Sequence, residues 1–554
     1  MAVKTLRLCL AQSNFLVGDI EGNAQKIIDI CQQARQQFQS ELILFPELAL
    51  VGYPPEDLLL RADLFPRCQQ ALAAIQQQVD DFHIVIGIPE HDNNGVYNAA
   101  LVLHRQQIVA RYFKHALPNY SVFDEKRYFV AGSEACVVEI AGVPMGITIC
   151  EDIWVDDPIA LSVKAGARLI LNINASPFHL RKDAERHQLV RRHIQRHGVP
   201  LVYVNQVGGQ DELVFDGASF VMNSRAECVF QAPAFEEALY PVEIEIENSA
   251  ISIQPQYCAP VLSEEESAYR ALVTGVRDYV CKNYFNGVVI GLSGGIDSAL
   301  TLAIVVDAIG AEAVEGVLMP SRYTADMSIE DAREECHTLG VVYHLISIEP
   351  AFHAFLDMLK DAFAGLPVDT TEENIQARCR GLILMAIANK KRKIAMTTGN
   401  KSEMAVGYAT LYGDMAGGFD VLKDVSKTLV YRLARWRNRS GEVIPQRVID
   451  RPPSAELAPE QKDSDSLPDY AVLDPILMRY VEQDQSAEEI IAAGFDEAVV
   501  RRVIRMVDAA EHKRRQAPPG VRITPRAFGR DRRYPLTSGY HRHRQKRPEP
   551  QASD

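Results

Sequence analysis

The densest chemistry in the chain lies in Gly291-Leu292-Ser293-Gly294-Gly295-Ile296-Asp297-Ser298. The apolar, β-branched run Val288-Val289-Ile290 feeds this Gly/Ser turn, and a helix-like run to Ile309 follows it. A strand, a tight loop and a helix start can turn backbone N–H groups inward, where the helix dipole adds partial positive charge. The glycines let the backbone come close to a guest, and Ser293 and Ser298 add hydroxyl donors. Phosphate suits such a loop. No Gly-Lys-Ser/Thr follows, so it is not a Walker A loop.

A second set lies in the first half. Glu47 follows Leu-Ile-Leu-Phe-Pro, Lys114 sits in Arg-Tyr-Phe-Lys-His, and Cys150 ends Gly-Ile-Thr-Ile-Cys ahead of Glu151-Asp152. Singly, each has an ordinary reading as a core cysteine or a solvated charge. Together they suit acyl transfer: a thiolate attacks an amide carbon, a carboxylate handles the thiol proton, and a cation faces the developing oxyanion. The order Glu, Lys, Cys, with Phe-Pro-Glu before and Cys-Glu-Asp-Ile-Trp after, resembles the nitrilase (carbon–nitrogen hydrolase) superfamily over residues 5–245. That resemblance implies an αββα sandwich, with Cys150 as nucleophile, Glu47 as general base and Lys114 as oxyanion partner. In glutamine-using members, positions matching Tyr120, Ser176 and Lys182 hold glutamine; a hydroxyl and a cation suit an amino-acid headgroup. Ser176 also reads as a cap for a helix starting near Phe178, a role compatible with ligand binding. Glu185 and Arg186 read as helix-face charges.

The elements that must position these residues alternate. In the first half, strands are expected at Leu6–Ala11, Leu42–Phe45, His83–Ile88, Tyr97–Leu103, Met145–Cys150, Arg168–Ile173 and Leu201–Asn205. A helix over 23–39 puts Ile27, Ile30, Cys31, Ala34 and Phe38 on one face. This reads as a layered α/β domain over 1–245, followed by a Pro-containing connector over 246–265. A second α/β domain over 266–540 has strands at Val314–Met319, Val342–Ile346 and Lys393–Thr397. Its strand–helix alternation implies a parallel sheet with ligands at the carboxyl ends.

Several polar residues fall at those ends. Arg322 reads as an ATP contact or as a surface arginine. Thr398-Gly399-Asn400-Lys401-Ser402-Glu403 ends the strand before it. Mg²⁺ on ATP takes hard carboxylate oxygens, and Asp297 with Glu403 form the best pair; the plainer reading of Glu403, a first-turn charge that complements a helix dipole, is the less favoured one. The Gly/Tyr-rich stretch Gly407 to Phe419 reads as a binding loop. The polar, Pro-rich stretch 451–468 reads as a lid or a plain surface loop.

Ser-Gly-Gly-Ile-Asp-Ser resembles the pyrophosphate loop of ATP pyrophosphatases. With Thr-Thr-Gly-Asn-Lys-Ser-Glu, Tyr-Gly-Asp-Met-Ala-Gly-Gly-Phe and Pro-Pro-Ser-Ala-Glu-Leu it looks like that of NAD synthetases. With the nitrilase-like half in front, the chain to about Thr537 resembles the glutamine-dependent NAD synthetase family. The resemblance implies a C–N ligase acting on deamido-NAD, ATP and L-glutamine with Mg²⁺, through a Cys thioester and an acyl-adenylate, with ammonia passed between sites. Positions matching Asn374, Glu403 and Lys513 would contact deamido-NAD, and Thr398 would contact ATP. Lys513 also reads as part of a basic helix end. A homo-oligomer is expected on the same ground. The competing reading is another glutamine amidotransferase with a different acceptor.

Composition bounds the rest. The formal charge of −15 argues against general nucleic-acid binding. No run approaches a membrane span. Ten cysteines without a Cys-x-x-Cys pair suit reduced thiols in a cytoplasmic protein without structural zinc. Residues 541–554 read as a disordered polar tail.

Overall fold

Leu6, Leu8 and Leu10 turn to one side of the first strand, Lys4–Gln12, while Cys9 and Ala11 turn to the other, and all are buried. A strand covered on both faces reads as a continuous apolar run rather than an alternating one. The computed structural model describes residues 4–247, 250–454, 456–458 and 467–540. It divides into two compact units, Met1–Lys282 and Asn283–Asp554.

In the first unit, a seven-stranded sheet runs in the order Ala250–Ser252, Ala238–Glu247, Lys4–Gln12, Leu42–Leu44, His83–Asp92, Gly95–His104 and Gln107–Phe113. A six-stranded sheet runs Cys228–Gln231, Phe220–Met222, Leu201–Asn205, Leu169–Asn174, Val143–Ile149 and Cys136–Ile140. Leu8, Leu44 and Val85 from the first sheet share one core with Ile147, Leu171 and Val204 from the second. On the outer face of the first sheet, Cys9 and Ile43 pack with Ile27 and Ala34 of the helix Ile20–Phe38. On the outer face of the second, Ile170 and Tyr203 pack with Val190 and Ile194 of the helix Lys182–His197. The four layers are the αββα sandwich that the resemblance implied.

The unit extends past the boundary at 245 expected from sequence. One strand of the expected connector, Ala250–Ser252, pairs with Ala238–Glu247 and completes the first sheet, and the helix Glu264–Lys282 packs on the hairpin Val207–Gln210 and Leu213–Asp216. Asp278 explains this attachment: its Oδ2 accepts from Gly209 N at 2.7 Å and Asn14 Nδ2 at 2.6 Å. Lys282 Nζ donates to Gly209 O at 2.7 Å. Neither long-range partner is visible from residues 246–265.

The second unit is built on a five-stranded sheet in the order Val342–Leu345, Val314–Leu318, Val288–Leu292, Ile394–Thr397 and Phe419–Asp420, parallel throughout. Val288–Leu292 and Ile394–Thr397 are neighbours, so the turns that leave them lie side by side at the carboxyl edge. Among the described residues no helix is long and apolar enough to cross a membrane. Part of the proposed lid (455, 459–466) and the tail 541–554 lie outside the described residues.

Candidate active sites

Cys150 sits where the strand Val143–Ile149 ends and a short 3₁₀ turn, Cys150–Trp154, begins. Its φ of 43° lies in the left-handed region, which is costly for a side-chain-bearing residue and is held only by firm surroundings. Glu47 and Lys114 leave strands of the facing sheet, and all three side chains are buried. Lys114 Nζ donates to Glu47 Oε1 at 2.6 Å and to both oxygens of Glu125 at 2.9 Å. Asn98 Nδ2 donates to Glu47 Oε1 at 2.7 Å, and Ala175 N to Oε2 at 3.0 Å. Glu47 is therefore held in one orientation by three donors from three elements.

The electrostatics follow from burial. Desolvation pushes the Cys150 thiol well above its ordinary value; Glu47 adds to the rise and Lys114 opposes it. A thiol this reluctant to ionise needs a base in the reacting step, and Glu47 is the carboxylate pinned beside it. Lys114 stays charged, because Glu125 and Glu47 together outweigh its desolvation. Burial pushes Glu125 up to about 7, with Lys114 opposing and Glu47 adding. Tyr53 OH donates to Glu125 Oε1 at 2.8 Å. The sequence reading did not single out Glu125. An acid in the polar run after Lys114 looks like a surface charge until the fold buries it.

Tyr120 is half exposed and donates to Glu151 Oε1 at 2.8 Å. Lys182 opens its helix with Nζ 3.8 Å from the Trp154 ring centroid and 3.1 Å from Glu185 Oε2. Desolvation lowers its pKa, with Glu185 opposing. Trp154 and Glu151 belong to the same Cys150 turn, which draws Tyr120 and Lys182 to the nucleophile's side. Ser176 is buried, and its helix starts at Lys182 rather than near Phe178, with no side-chain cap. It does not cap: its Oγ accepts from Arg186 Nε at 3.2 Å. Arg186 is not a helix-face charge. It is buried, its Nη1 donates to both Asp216 carboxylate oxygens at 2.8 Å, and its Nη2 donates to Ser176 O at 2.8 Å. The pair holds the Ser176 backbone in place.

In the second unit the Ser293–Ser298 loop is tied by its own hydroxyls. Ser293 Oγ and Ser298 Oγ lie 3.1 Å apart, Gly295 N donates to Ser293 Oγ at 3.2 Å, and Ser298 Oγ donates to Gly295 O at 3.0 Å. Gly294 has φ 78°, and a Cβ there would stand 2.2 Å from Ser328 O, so both backbone shape and space require glycine. The helix Ile296–Ile309 starts within this loop, so Ser298 lies in its first turn.

Asp297 and Glu403 converge. Lys427 Nζ donates to Asp297 Oδ2 at 2.5 Å and to Glu403 Oε1 at 3.2 Å. Asn400 Nδ2 donates to Asp297 Oδ1 at 2.9 Å, while Asn400 Oδ1 accepts from Glu403 N at 3.0 Å. Thr398, Asp297, Glu403 and Lys427 line one cleft at the carboxyl edge of the sheet. Asp297 and Glu403 bring two carboxylates to this cleft, hard oxygens of the type a divalent ion shared with phosphate takes, with the Lys427 ammonium between them. Arg451 and Glu456, from the Pro-rich stretch, border the same cleft. Arg451 donates to Gly294 O at 3.0 Å and Ser328 Oγ at 2.9 Å, and Ser328 Oγ donates to Glu456 Oε1 at 2.7 Å.

Three further expected contacts are not among the residues that line this cleft. Arg322 lies against Glu349, with its backbone N–H and guanidinium each 2.7 Å from that carboxylate, outside the cleft lining. Asn374 Oδ1 accepts from Thr410 Oγ1 at 2.8 Å, and Lys513 Nζ donates to Gly407 O and Ala409 O at 2.8 Å. Asn374 and Lys513 thus meet on the Gly407–Phe419 loop rather than on the cleft wall. Lys427 was missed, since Lys423-Asp424-Val425-Ser426-Lys427 reads simply as a helix start.

The NAD synthase family profile matches residues 268–517, and the carbon–nitrogen hydrolase profile matches residues 7–250. The chain is 49% identical over 542 residues to the glutamine-dependent NAD(+) synthetase of Acinetobacter baylyi, covering 97% of this chain and 99% of that one. It is 45% identical to that of Thermotoga maritima, over 97% and 99% of the two chains. A solved structure of the Acinetobacter baumannii enzyme with ADP superposes with a TM-score of 0.78 at 46% identity, over 97% of this chain and 99% of that one.

Proposed function

The chain belongs to the glutamine-dependent NAD(+) synthetase family, and on that premise we propose how its residues divide the reaction. It is a ligase that forms NAD⁺ from deamido-NAD, ATP and L-glutamine. The observation that carries the assignment is the coexistence in one chain of two equipped units. One has a buried thiol beside the Glu47–Lys114–Glu125 charge group, and the other a phosphate loop joined to Glu403 through Lys427.

In the first unit Glu47 takes the Cys150 proton as the sulfur attacks the glutamine amide carbon. Lys114 and neighbouring backbone donors stabilise the oxyanion. Glu47 returns the proton to the leaving ammonia, and water then frees glutamate from the thioester. Tyr120, Ser176 and Lys182 hold the amino-acid headgroup, with Arg186 setting the Ser176 backbone.

In the second unit the nicotinate carboxylate of deamido-NAD attacks the α-phosphate of ATP, and pyrophosphate leaves. The Gly291–Ser298 loop cradles the phosphates with its N–H groups and hydroxyls. Lys427 supplies a fixed positive charge, and Thr398 lines the nucleotide side of the cleft. Asp297 and Glu403 would hold Mg²⁺, which when bound neutralises charge on the phosphates. Asn374 and Lys513 shape the Gly407–Phe419 loop against deamido-NAD; Arg322 is held by Glu349 beyond the residues that line the cleft. Ammonia then attacks the acyl-adenylate. It is mostly protonated at neutral pH, so transfer requires that it be kept from water, and a homo-oligomer would favour this. Ten free cysteines suit a reducing, cytoplasmic setting.

The test is acceptor-dependent AMP release. NAD, AMP and glutamate should appear together in equal amounts when deamido-NAD is added. AMP release with another acid acceptor, and none with deamido-NAD, would transfer the chain to a different amidotransferase activity.

A further inference from the structure

Asp152 lies two residues beyond the nucleophile, is fully buried, and takes part in none of the steps above. Its carboxylate collects four donors. Oδ2 accepts from Ile149 N at 2.9 Å and Tyr112 OH at 2.8 Å. Oδ1 accepts from His115 N at 3.1 Å and Ala116 N at 2.8 Å. The donors fall into two groups. Ile149 immediately precedes Cys150, so the Ile149–Asp152 bond closes a ring across the residue with φ 43°. Tyr112, His115 and Ala116 flank Lys114 on both sides where the strand Gln107–Phe113 ends. A single rigid carboxylate therefore spans the sulfur's turn and the lysine's segment, which come from the two different sheets.

We propose that Asp152 is a positioning residue for the glutaminase step, holding the strained Cys150 turn in register with Lys114. The inference rests on Cys150, Glu47 and Lys114 being the glutaminase residues. The physical need is clear on both sides. A left-handed residue springs back unless its neighbours over-determine it. The lysine must meet an oxyanion whose position is set by the sulfur, and misplacement by about 1 Å can cost about a hundredfold in rate. Asp152→Asn keeps the shape but puts an NH₂ group where two donors expect an oxygen. Tyr112→Phe removes one donor and leaves the bond across Cys150 intact.

The full-length protein is labelled with 6-diazo-5-oxo-L-norleucine, a glutamine-like diazoketone that alkylates the attacking thiol, and rate and final stoichiometry are recorded. Glutamine kcat and KM are measured in parallel. Asp152→Asn should still reach one label per chain, with labelling rate and kcat down about tenfold to a hundredfold and KM within about threefold. Tyr112→Phe should lose no more than about threefold. Labelling at the wild-type rate overturns the proposal. So does a drop in stoichiometry with the surviving sites reacting at the wild-type rate, because that is simple loss of folded protein. Cys150→Ala serves as the control: if it still takes the label, the glutaminase assignment fails and this inference falls with it.

Discussion

Lys427 Nζ stands 2.5 Å from Asp297 Oδ2, joining the phosphate loop to the first turn of the helix Lys427–Arg437. A cation at a helix N-terminus opposes the dipole. Here two carboxylates, Asp297 and Glu403, offset that cost and leave the ammonium buried beside the cleft.

Replacing Lys427 by Met should therefore remove charge where pyrophosphate departs. Synthesis from glutamine and from ammonium chloride should both fall by about 10²–10³. Cys150 labelling by the diazoketone should be unchanged, since the lysine belongs to the other unit. Steady-state NAD formation with each nitrogen source checks this, and synthesis within about threefold of wild type would count against the role.

Gly294→Ala tests the loop through its backbone. The φ of 78° costs an alanine about 1–3 kcal/mol. The Cβ would also meet Ser328 O, so the loop must shift away from the helix that starts at Asp326. KM for ATP should rise tenfold or more, roughly the same energy expressed as affinity. An unchanged KM for ATP would mean that the loop does not hold the phosphates.

Glu125 gives a pH signature. Its folded carboxyl is raised to about 7 from an ordinary value of 4.5 by burial, despite Lys114. A raised carboxyl binds its proton more tightly folded than unfolded. Its contribution is fully present below 4.5 and is lost as pH climbs through 7. Wild type minus Glu125→Gln, compared by urea unfolding from pH 4.5 to 8, should therefore decline with rising pH and level off above 7. A flat or rising difference would contradict the shift. The same variant should lower glutamine-dependent turnover about tenfold or more, because Lys114 loses two of its three carboxylate contacts.

What the sequence showed and what it hid separate on physical grounds. The Gly291–Ser298 loop was legible because strand, turn and helix start are contiguous and glycine has few other reasons to stand at 294. Glu47, Lys114 and Cys150 were legible through the short apolar runs and the strand ends around them. Arg186 and Glu125 were hidden because a buried charge and a solvated one have the same local pattern; only Asp216 and Lys114, distant in sequence, make them buried pairs. The partner of Arg322 was hidden for the same reason of distance in sequence. The arginine's place after a strand end suited a ligand, but Glu349, which opens the later helix Glu349–Leu359, pairs with it. The helix Glu264–Lys282 looked like the entry to the second domain, and Asp278 and Lys282 attach it to the first.

The central claim is that Cys150 supplies nitrogen to a synthesis carried out by the other unit. NAD formation from deamido-NAD, ATP and Mg²⁺ should be measured for wild type and Cys150→Ala, with glutamine or ammonium chloride as the nitrogen source. The account predicts that the variant loses the glutamine reaction and keeps the ammonium one. A variant that still uses glutamine normally, or a wild type that makes NAD from neither source, would contradict it.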